Sequence, residues 1–382
     1  MSAFAVGSDL IHYEVLGRGR QVVFVHGWIG SWRYWIPTLQ QLQAKYRVYA
    51  LDLYGFGDTA KNANKYTLEH QIELLADFMR ELGMPKAAFV GHGLGALVVA
   101  EFARRYPDRV PRLMLIDAPL FDPGDLDRRV PQARKGMPST GTLPNIPSMP
   151  PGVDSSKAAQ EHAAVKSMTP SPGTGKLKAL TANRATIAAL VDQMRVDAAA
   201  KTPAPLPIEL AKPAAPASME APRSAPTAME TAEHPRLIFA SNENPLEPIL
   251  TDGEALLAKA FKKSEPEYGK LHVDVAKSDP RAIREVSSTF DSGRMVDTLR
   301  LLTMPVAVVH GMDDPIISPP SDAVWQYVTT DKENLLVPIP LPNVRHFPML
   351  EYDLFPRLLT DFLEAPDVSR LEIKERWKRR SR

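Results

Sequence analysis

The chain turns sharply within the segment Phe89-Val90-Gly91-His92-Gly93-Leu94-Gly95-Ala96-Leu97. An apolar run, Ala87–Val90, precedes the glycines, and Leu94–Tyr106 follows them with the periodicity of a helix. Glycines on both sides of the turn suit a strand and a helix that approach each other closely, because a Cβ would not fit there. The segment therefore predicts a strand, a tight turn and a helix.

The spacing Gly91-x-Gly93-x-Gly95 resembles the nucleophile elbow Gly-x-Ser-x-Gly of the α/β-hydrolase superfamily, with glycine at the position of the nucleophile. The elbow residue normally presents the reacting oxygen on a strained backbone. Gly93 has no side chain, so neither an acyl-enzyme nor an alkyl-enzyme can form at this position. The resemblance implies the fold, and more specifically the capped branch of epoxide hydrolases and esterases, but it leaves the chemistry open.

A second motif resembles the loop that supplies an oxyanion-hole N–H in this superfamily. His26-Gly27-Trp28 follows the apolar run Gln21–Val25, which has the length and composition of a strand buried on both faces. The resemblance implies that the backbone N–H groups of Trp28 and Leu94 are the two oxyanion donors. Further along, Asp52–Asp58 resembles the superfamily's Asp-x-x-Gly-x-Gly-x-Ser turn.

Two motifs in the second half of the chain resemble the segments that carry the acid and the base. The acid follows a buried strand in a Gly-x-x-Asp pattern, which selects Asp314 over Asp313. The base segment, usually Gly-His-Phe-Pro-x-x-Glu, reads Arg345-His346-Phe347-Pro348 here, with arginine replacing the glycine. The resemblance implies a dyad in which His346 accepts a proton and Asp314 fixes its tautomer.

Alternating strands and helices predict a sheet covered by helices on both faces. The resemblance implies an α/β-hydrolase fold with a mostly parallel, eight-stranded sheet and a helical cap. We expect the core at residues 1–122 and 301–366, the cap at 123–300 and a basic tail at 367–382. Within the cap, the sequence predicts helices over Gly253–Lys262 and Pro280–Leu302.

The cap region carries a proline- and alanine-rich insert at about 131–235. Of the chain's 36 prolines, 16 lie between Pro131 and Pro235, and the stretch has few aromatic residues. Such a composition offers too little apolar surface to offset the entropy of ordering. We expect an extended or disordered insert with one helix, Lys176–Val196, and renewed order at Leu237–Ala240. A proline-rich docking segment is the alternative.

Composition narrows the function classes further. A net charge of +1 argues against nucleic acid as a partner, and the lack of cysteine excludes disulfides, thiol catalysis and cysteine-ligated metals. We expect no cofactor, no bound metal, no signal peptide and no membrane span, and hence a cytoplasmic protein. The basic tail Arg370–Arg382 suits either a terminal helix that docks Trp377 or contact with an anionic surface.

Three functions remain open after these observations. The first is an enzyme that uses His346 and Asp314 as a general base for hydrolysis, proton abstraction or cofactor-free oxygenation. The second is a non-catalytic protein that binds an apolar small molecule under the cap, and the third is an interaction protein that acts through its insert and tail. A replacement nucleophile could come from Ser31 or Asp117, although neither lies on the elbow. The sequence does not predict the substrate or the oligomeric state.

Overall fold

A computed structural model describes residues 2–129 and 244–371 of this 382-residue chain. The first described part contains six strands, separated after β3 by helices. The strands are β1 (Ser2–Val6), β2 (Asp9–Gly17), β3 (Arg20–Val25), β4 (Tyr46–Leu51), β5 (Ala88–His92) and β6 (Leu113–Ile116). The helices are α1 (Ile36–Leu42), α2 (Leu68–Glu81) and α3 (Leu94–Arg105), and a 3-10 turn at Trp32–Trp35 leads into α1.

The second described part begins with helices and returns to the sheet. Four helices come first: α4 (Gly253–Ala260), α5 (Pro266–Lys277), α6 (Pro280–Ser287) and α7 (Ser292–Leu301). The remaining elements are β7 (Val306–Gly311), α8 (Asp322–Thr329), β8 (Leu336–Leu341), α9 (Pro348–Glu351) and α10 (Phe355–Glu364).

All eight strands form one sheet in the order β1-β2-β4-β3-β5-β6-β7-β8. Strand β2 is antiparallel to both of its neighbours, and every later pair is parallel. The predicted eight-stranded, mostly parallel sheet is therefore confirmed. The sheet interior is apolar and excluded from solvent, since Val23, Val90, Leu115 and Val308 are fully buried on four adjacent strands.

The carboxyl ends of the parallel strands position the site. β3 ends before the His26-Gly27-Trp28 loop, β5 ends at the elbow and β7 ends three residues before Asp314. Because carboxyl ends of parallel strands meet at one edge of a sheet, loops from distant parts of the sequence converge there. The elbow strand β5 lies between β3 and β6 in this arrangement.

The predicted cap helix Pro280–Leu302 is wrong as a single element. The chain forms α6 and α7 instead, separated by residues 288–291. The Ser288 hydroxyl donates to the Glu285 carbonyl (2.8 Å) at the end of α6, and the Asp291 side chain accepts from the Arg294 N–H (2.9 Å) to begin α7. These local side-chain bonds compete with a continuous helix.

Helix α5 has no counterpart among the predicted elements. Pro266 stands in its first turn, where a missing N–H costs nothing. Only Leu271 and Asp274 of this helix are buried, so its apolar periodicity is weak. The predicted helix Lys176–Val196, the insert and the segment Leu237–Ala240 lie outside the described residues, as does the tail beyond Leu371.

In the described ranges 2–129 and 244–371, every helix is too short or too polar to cross a lipid bilayer.

Candidate active site

The elbow turns at Gly93, between the last residue of β5 and the first residue of α3. Gly93 has φ +51° and ψ −109°, a left-handed conformation that side chains adopt at a cost. The flanking glycines are required by packing. A Cβ on Gly91 would lie 2.4 Å from the Gly95 carbonyl oxygen, and a Cβ on Gly95 would lie 2.3 Å from the Val25 carbonyl oxygen. The predicted strand, turn and helix are thus present.

Trp28 packs directly against the elbow. A Cβ on Gly93 would lie 3.0 Å from both Cε3 and Cζ3 of the Trp28 indole, which is 1% exposed. Across the 2–129 and 244–371 ranges, neither the Trp28 nor the Leu94 backbone N–H has a hydrogen-bond acceptor. The neighbouring Gly27 N–H, in contrast, donates to the Tyr34 hydroxyl over 2.7 Å. The two predicted oxyanion donors therefore remain available.

His346 and Asp314 form a buried pair. The His346 Nδ1 and Asp314 Oδ2 atoms are 2.7 Å apart, and both side chains are almost completely buried. The other Asp314 oxygen accepts from the backbone N–H groups of Ile316 (2.8 Å) and Ile317 (3.1 Å). Because the carboxylate accepts at Nδ1, the proton of neutral His346 lies on that nitrogen and Nε2 keeps its lone pair.

The Nε2 atom of His346 is buried without a hydrogen-bond partner in the described part of the chain. A buried polar atom without a partner costs free energy, and such atoms are uncommon in folded proteins. This nitrogen is therefore available to accept a proton from a molecule that enters the site. Asp313, the alternative that the sequence pattern rejected, is exposed.

Arg345, which replaces the usual glycine, connects the loop that carries His346 to the start of helix α5. Its Nη2 donates to Glu265 Oε1 (2.8 Å), at the start of α5. Its backbone N–H and Nε both donate to Glu351 Oε2, at 3.2 and 2.9 Å. The guanidinium also lies over the ring of Phe261, 4.8 Å from the centroid. The arginine thus has a structural role that the sequence did not predict.

Sequence reasoning missed a hydrogen-bond chain that joins the three loops of the site. The Tyr34 hydroxyl accepts from the Gly27 N–H (2.7 Å) and lies 3.0 Å from His92 Nδ1. His92 Nε2 lies 2.7 Å from the His346 carbonyl oxygen, to which it can only donate. The lone pair of His92 is therefore on Nδ1, where it accepts the hydroxyl proton. Burial lowers the pKa of His92 well below its ordinary value and raises that of Tyr34 well above its own.

Both replacement nucleophiles considered from the sequence, Ser31 and Asp117, are fully buried. Ser31 is fully buried, and its hydroxyl oxygen accepts from the Arg33 backbone N–H (3.3 Å) as the cap of the 3-10 turn. Asp117, which follows β6 at φ +45°, accepts from the Gly311 N–H through Oδ1 (2.8 Å). Burial and the neighbouring Asp314 raise the pKa of the Asp117 carboxyl well above its ordinary range.

Buried histidines and carboxyls lie close enough to suggest a metal site. Ligand atoms of His92, Asp117 and His346 lie within 4.8 Å of one another, as do those of Asp117, His310 and Asp314. In the first set both nitrogens of His92 are hydrogen-bonded, and in the second both oxygens of Asp314 are. A metal on His92 would have to displace one of its hydrogen bonds, whereas an Asp314 oxygen can accept a hydrogen bond and also coordinate a cation.

Comparisons with known proteins identify the fold. A family model described as "alpha/beta hydrolase fold" matches residues 21–142, about a third of the chain. The match includes the His26-Gly27-Trp28 loop, the Asp52–Asp58 turn and the elbow. The chain has the α/β-hydrolase fold.

Curated relatives in the superfamily match over a limited stretch. Bifunctional epoxide hydrolase 2 of Rattus norvegicus is 34% identical over 119 residues, which are 30% of this chain and 21% of the rat protein. The pimeloyl-[acyl-carrier protein] methyl ester esterase of Vibrio campbellii is 30% identical over 109 residues, 28% of this chain and 41% of that one. The chain thus spans about a fifth of the length of the rat relative.

Solved α/β-hydrolases match over nearly the whole length, at identities that establish the fold alone. One is a serine-to-glycine mutant of the N-acyl homoserine lactonase AidH, complexed with N-hexanoyl homoserine lactone. It has a TM-score of 0.54 and 17% identity over 95% of this chain and 96% of that one. The enol-lactonase of Burkholderia xenovorans has a TM-score of 0.54 and 14% identity over 95% and 99%.

Proposed function

We propose that the protein is a hydrolase for a small, largely apolar substrate with an ester, lactone or epoxide bond, and that His346 and Asp314 activate water directly. The observation that carries this proposal is the His346 Nε2 atom, which is buried without a partner while Nδ1 is held by Asp314. A histidine held in this way can accept a proton at its free nitrogen, Nε2.

The glycine at the elbow requires a mechanism without a covalent enzyme intermediate. Water in the site gives a proton to His346 Nε2 and attacks the electrophilic carbon with the electron pair that is released. Asp314 stabilises the imidazolium that forms, as the acid of a triad does. For a carbonyl substrate, the negative charge on oxygen is accepted by the N–H groups of Trp28 and Leu94. Breakdown of the tetrahedral species returns the proton from His346 to the leaving group.

The expected rate is modest. A positioned general base contributes about 10²–10⁴-fold, and a site with an oxyanion hole but without its nucleophile keeps roughly 10³–10⁴-fold over water. The names of the relatives support the bond types, since they include epoxide hydrolases, a methyl ester esterase and lactonases. Which of these bonds the protein cleaves is decided by experiment.

A substrate panel tests the proposal. We would measure hydrolysis of p-nitrophenyl butyrate, styrene oxide and a hexanoyl lactone by the wild type, His346→Gln and Asp314→Asn, with the exposed His272→Gln as control. His346→Gln should lower the rate on the preferred substrate by about 10²-fold or more, and His272→Gln should not change it. In H₂¹⁸O the first turnover should place ¹⁸O in the product, without a burst of leaving group.

Two results would contradict this mechanism. Equal rates in the wild type and in His346→Gln would exclude the dyad as the base. Saturable binding of these compounds without turnover would favour the alternative, a catalytically inactive small-molecule-binding protein on the same fold.

A further inference from the structure

We infer that the indole of Trp28 limits which substrates reach the elbow, and that it admits only those that are slim and unbranched next to the reacting atom. The inference deepens the proposed function and rests on it for the identity of the reaction. It concerns a side chain, whereas the superfamily resemblance assigns a role only to the backbone N–H of Trp28.

The indole ring of Trp28 lies beside the elbow. The direction of a Cβ on Gly93 is the direction in which a nucleophile would extend, and in that direction the Cε3 and Cζ3 atoms of Trp28 are 3.0 Å away. Ordinary carbon contacts are about 3.5–4.0 Å. A group that approaches the elbow from this side therefore contacts Cε3 and Cζ3 of the indole before it reaches the backbone.

A hydrogen bond holds the Trp28 indole in place. The Trp28 Nε1–H donates to the Ser287 hydroxyl over 2.9 Å, between residues 259 positions apart in the sequence. Both side chains are buried, Trp28 at 1% exposure and Ser287 at 2%. Ser287 ends helix α6, and its carbonyl oxygen accepts from the Asn244 side-chain amide over 2.7 Å. The indole cannot turn away without breaking a buried hydrogen bond to this helix.

The packing around Trp28 limits how far the indole can move. A buried side chain whose ring nitrogen is held by a buried hydrogen bond can shift only a few tenths of an ångström without cost. Forcing extra atoms into such a contact is unfavourable, as overpacked cores show. Branched or aromatic groups at the reacting atom therefore have to displace Trp28, whereas a slim chain does not.

The absence of cysteine from the chain allows a direct test that needs no turnover. Gly93→Cys introduces a single thiol at the elbow, and Gly269→Cys introduces one on α5, where a Cβ would have no neighbour within 4 Å. Each variant is treated with methyl methanethiosulfonate and with benzyl methanethiosulfonate, and the labelling rates are measured by intact mass. The Gly269→Cys variant gives the ratio of the two rates at an open site.

The benzyl-to-methyl rate ratio at the elbow should be lower than the ratio at position 269 by a factor of about ten or more. Overpacking produces an effect of this size. Adding Trp28→Ala should restore the ratio to within about threefold of the control, and Ser287→Ala should restore part of it. If Trp28→Ala does not fold, Trp28→Phe and Ser287→Ala decide the question, with thermal unfolding recorded for every variant.

The inference is overturned if both reagents label the elbow in the ratio seen at position 269, or if releasing Trp28 leaves a low ratio unchanged. Failure of the methyl reagent to react at the elbow also overturns it, because a slim group must pass. A protein that shows the size limit but hydrolyses nothing would refute the proposed function alone.

Discussion

His92 donates its Nε2–H to the backbone carbonyl of His346 over 2.7 Å, so the residue before the elbow glycine is bonded to the loop that carries the His346–Asp314 pair. The same ring accepts the Tyr34 hydroxyl proton, and Tyr34 in turn accepts from Gly27. One arrangement of protons satisfies the whole chain, and in it His92 is neutral. Hydrogen bonds thereby link the His26-Gly27-Trp28 loop, the elbow and the loop that carries His346.

Tyr34→Phe should destabilise the protein. The change removes the hydroxyl and leaves the Gly27 N–H and the His92 Nδ1 buried without partners. At about 1–3 kcal/mol for each of these two groups, we expect a loss of about 2–6 kcal/mol in the free energy of unfolding. Urea denaturation of this variant beside Tyr106→Phe, at a half-buried tyrosine, provides the measurement. A loss no greater than that of the control would mean that the hydroxyl contributes little.

Acidification should destabilise the fold through its buried neutral histidines. Burial lowers the pKa of His92 and of His26, so both are neutral in the folded protein and charged in the unfolded chain below about pH 6.5. Their contribution is complete above that pH and is lost as the pH falls. Each adds a slope of up to about 1.4 kcal/mol per pH unit.

This slope can be assigned by substitution. The free energy of unfolding is measured from pH 7.5 to pH 5 for the wild type and for His92→Gln. The His92→Gln curve should be flatter than the wild-type curve by up to about one proton's slope. Parallel curves for wild type and His92→Gln would show that His92 takes up its proton equally in both states.

Gly93→Ser should exchange stability for esterase activity. At φ +51° a side chain costs about 1–3 kcal/mol, partly offset because serine has less unfolded-chain entropy than glycine. The indole of Trp28 must also yield. We expect a modest fall in Tm and a rise of about 10²-fold or more in hydrolysis of an activated ester, abolished by adding His346→Ala.

Two further variants separate strain from contact in this experiment. Gly7→Ser has a similar φ of +62° and open space around the new Cβ, so it reports backbone strain alone. Ser287→Ala in the Gly93→Ser background frees the indole and should increase the activity gained. A loss of stability without any gain in ester hydrolysis would indicate that the dyad and the oxyanion donors are not aligned with the elbow.

Shortening the insert should leave the described core stable. The composition of residues 203–235 offers little apolar surface, and the entropy of closing a loop grows only with the logarithm of its length. Deleting residues 204–234 should change the Tm by no more than a few degrees, as measured by thermal unfolding. A fall of many degrees would show that the segment contributes to the stability of the folded core.

The sequence predicted the sheet well, for a physical reason. Strands buried on both faces are continuous apolar runs, and runs such as Tyr46–Leu51 have the same bounds in the structure. The elbow was equally clear because three glycines in five residues meet a steric requirement that is local. Asp314 and His346 followed from their motifs, and the structure places their side chains in contact.

The features that the sequence did not predict depend on contacts between distant residues. Nothing local to Tyr34 or His92 indicates that their rings meet 58 positions apart in the chain. The bond between Trp28 and Ser287 is equally invisible to periodicity. Helix α5 escaped prediction because Arg33 and Asp58 bind its polar side chains, Asp274 and Lys277, in place of an apolar face.

Asp117 and Gly311 have a consequence for how such a protein can change over time. The Gly311 N–H donates to Asp117 Oδ1 over 2.8 Å, and this bond joins the two ends of the chain segment that leaves the sheet after β6 and returns at β7. The two ends of this segment meet at neighbouring strands, so its length and content can vary between descendants while the sheet, the elbow and the dyad stay as they are. The length of the chain between β6 and β7 can therefore change without altering the register of these two strands.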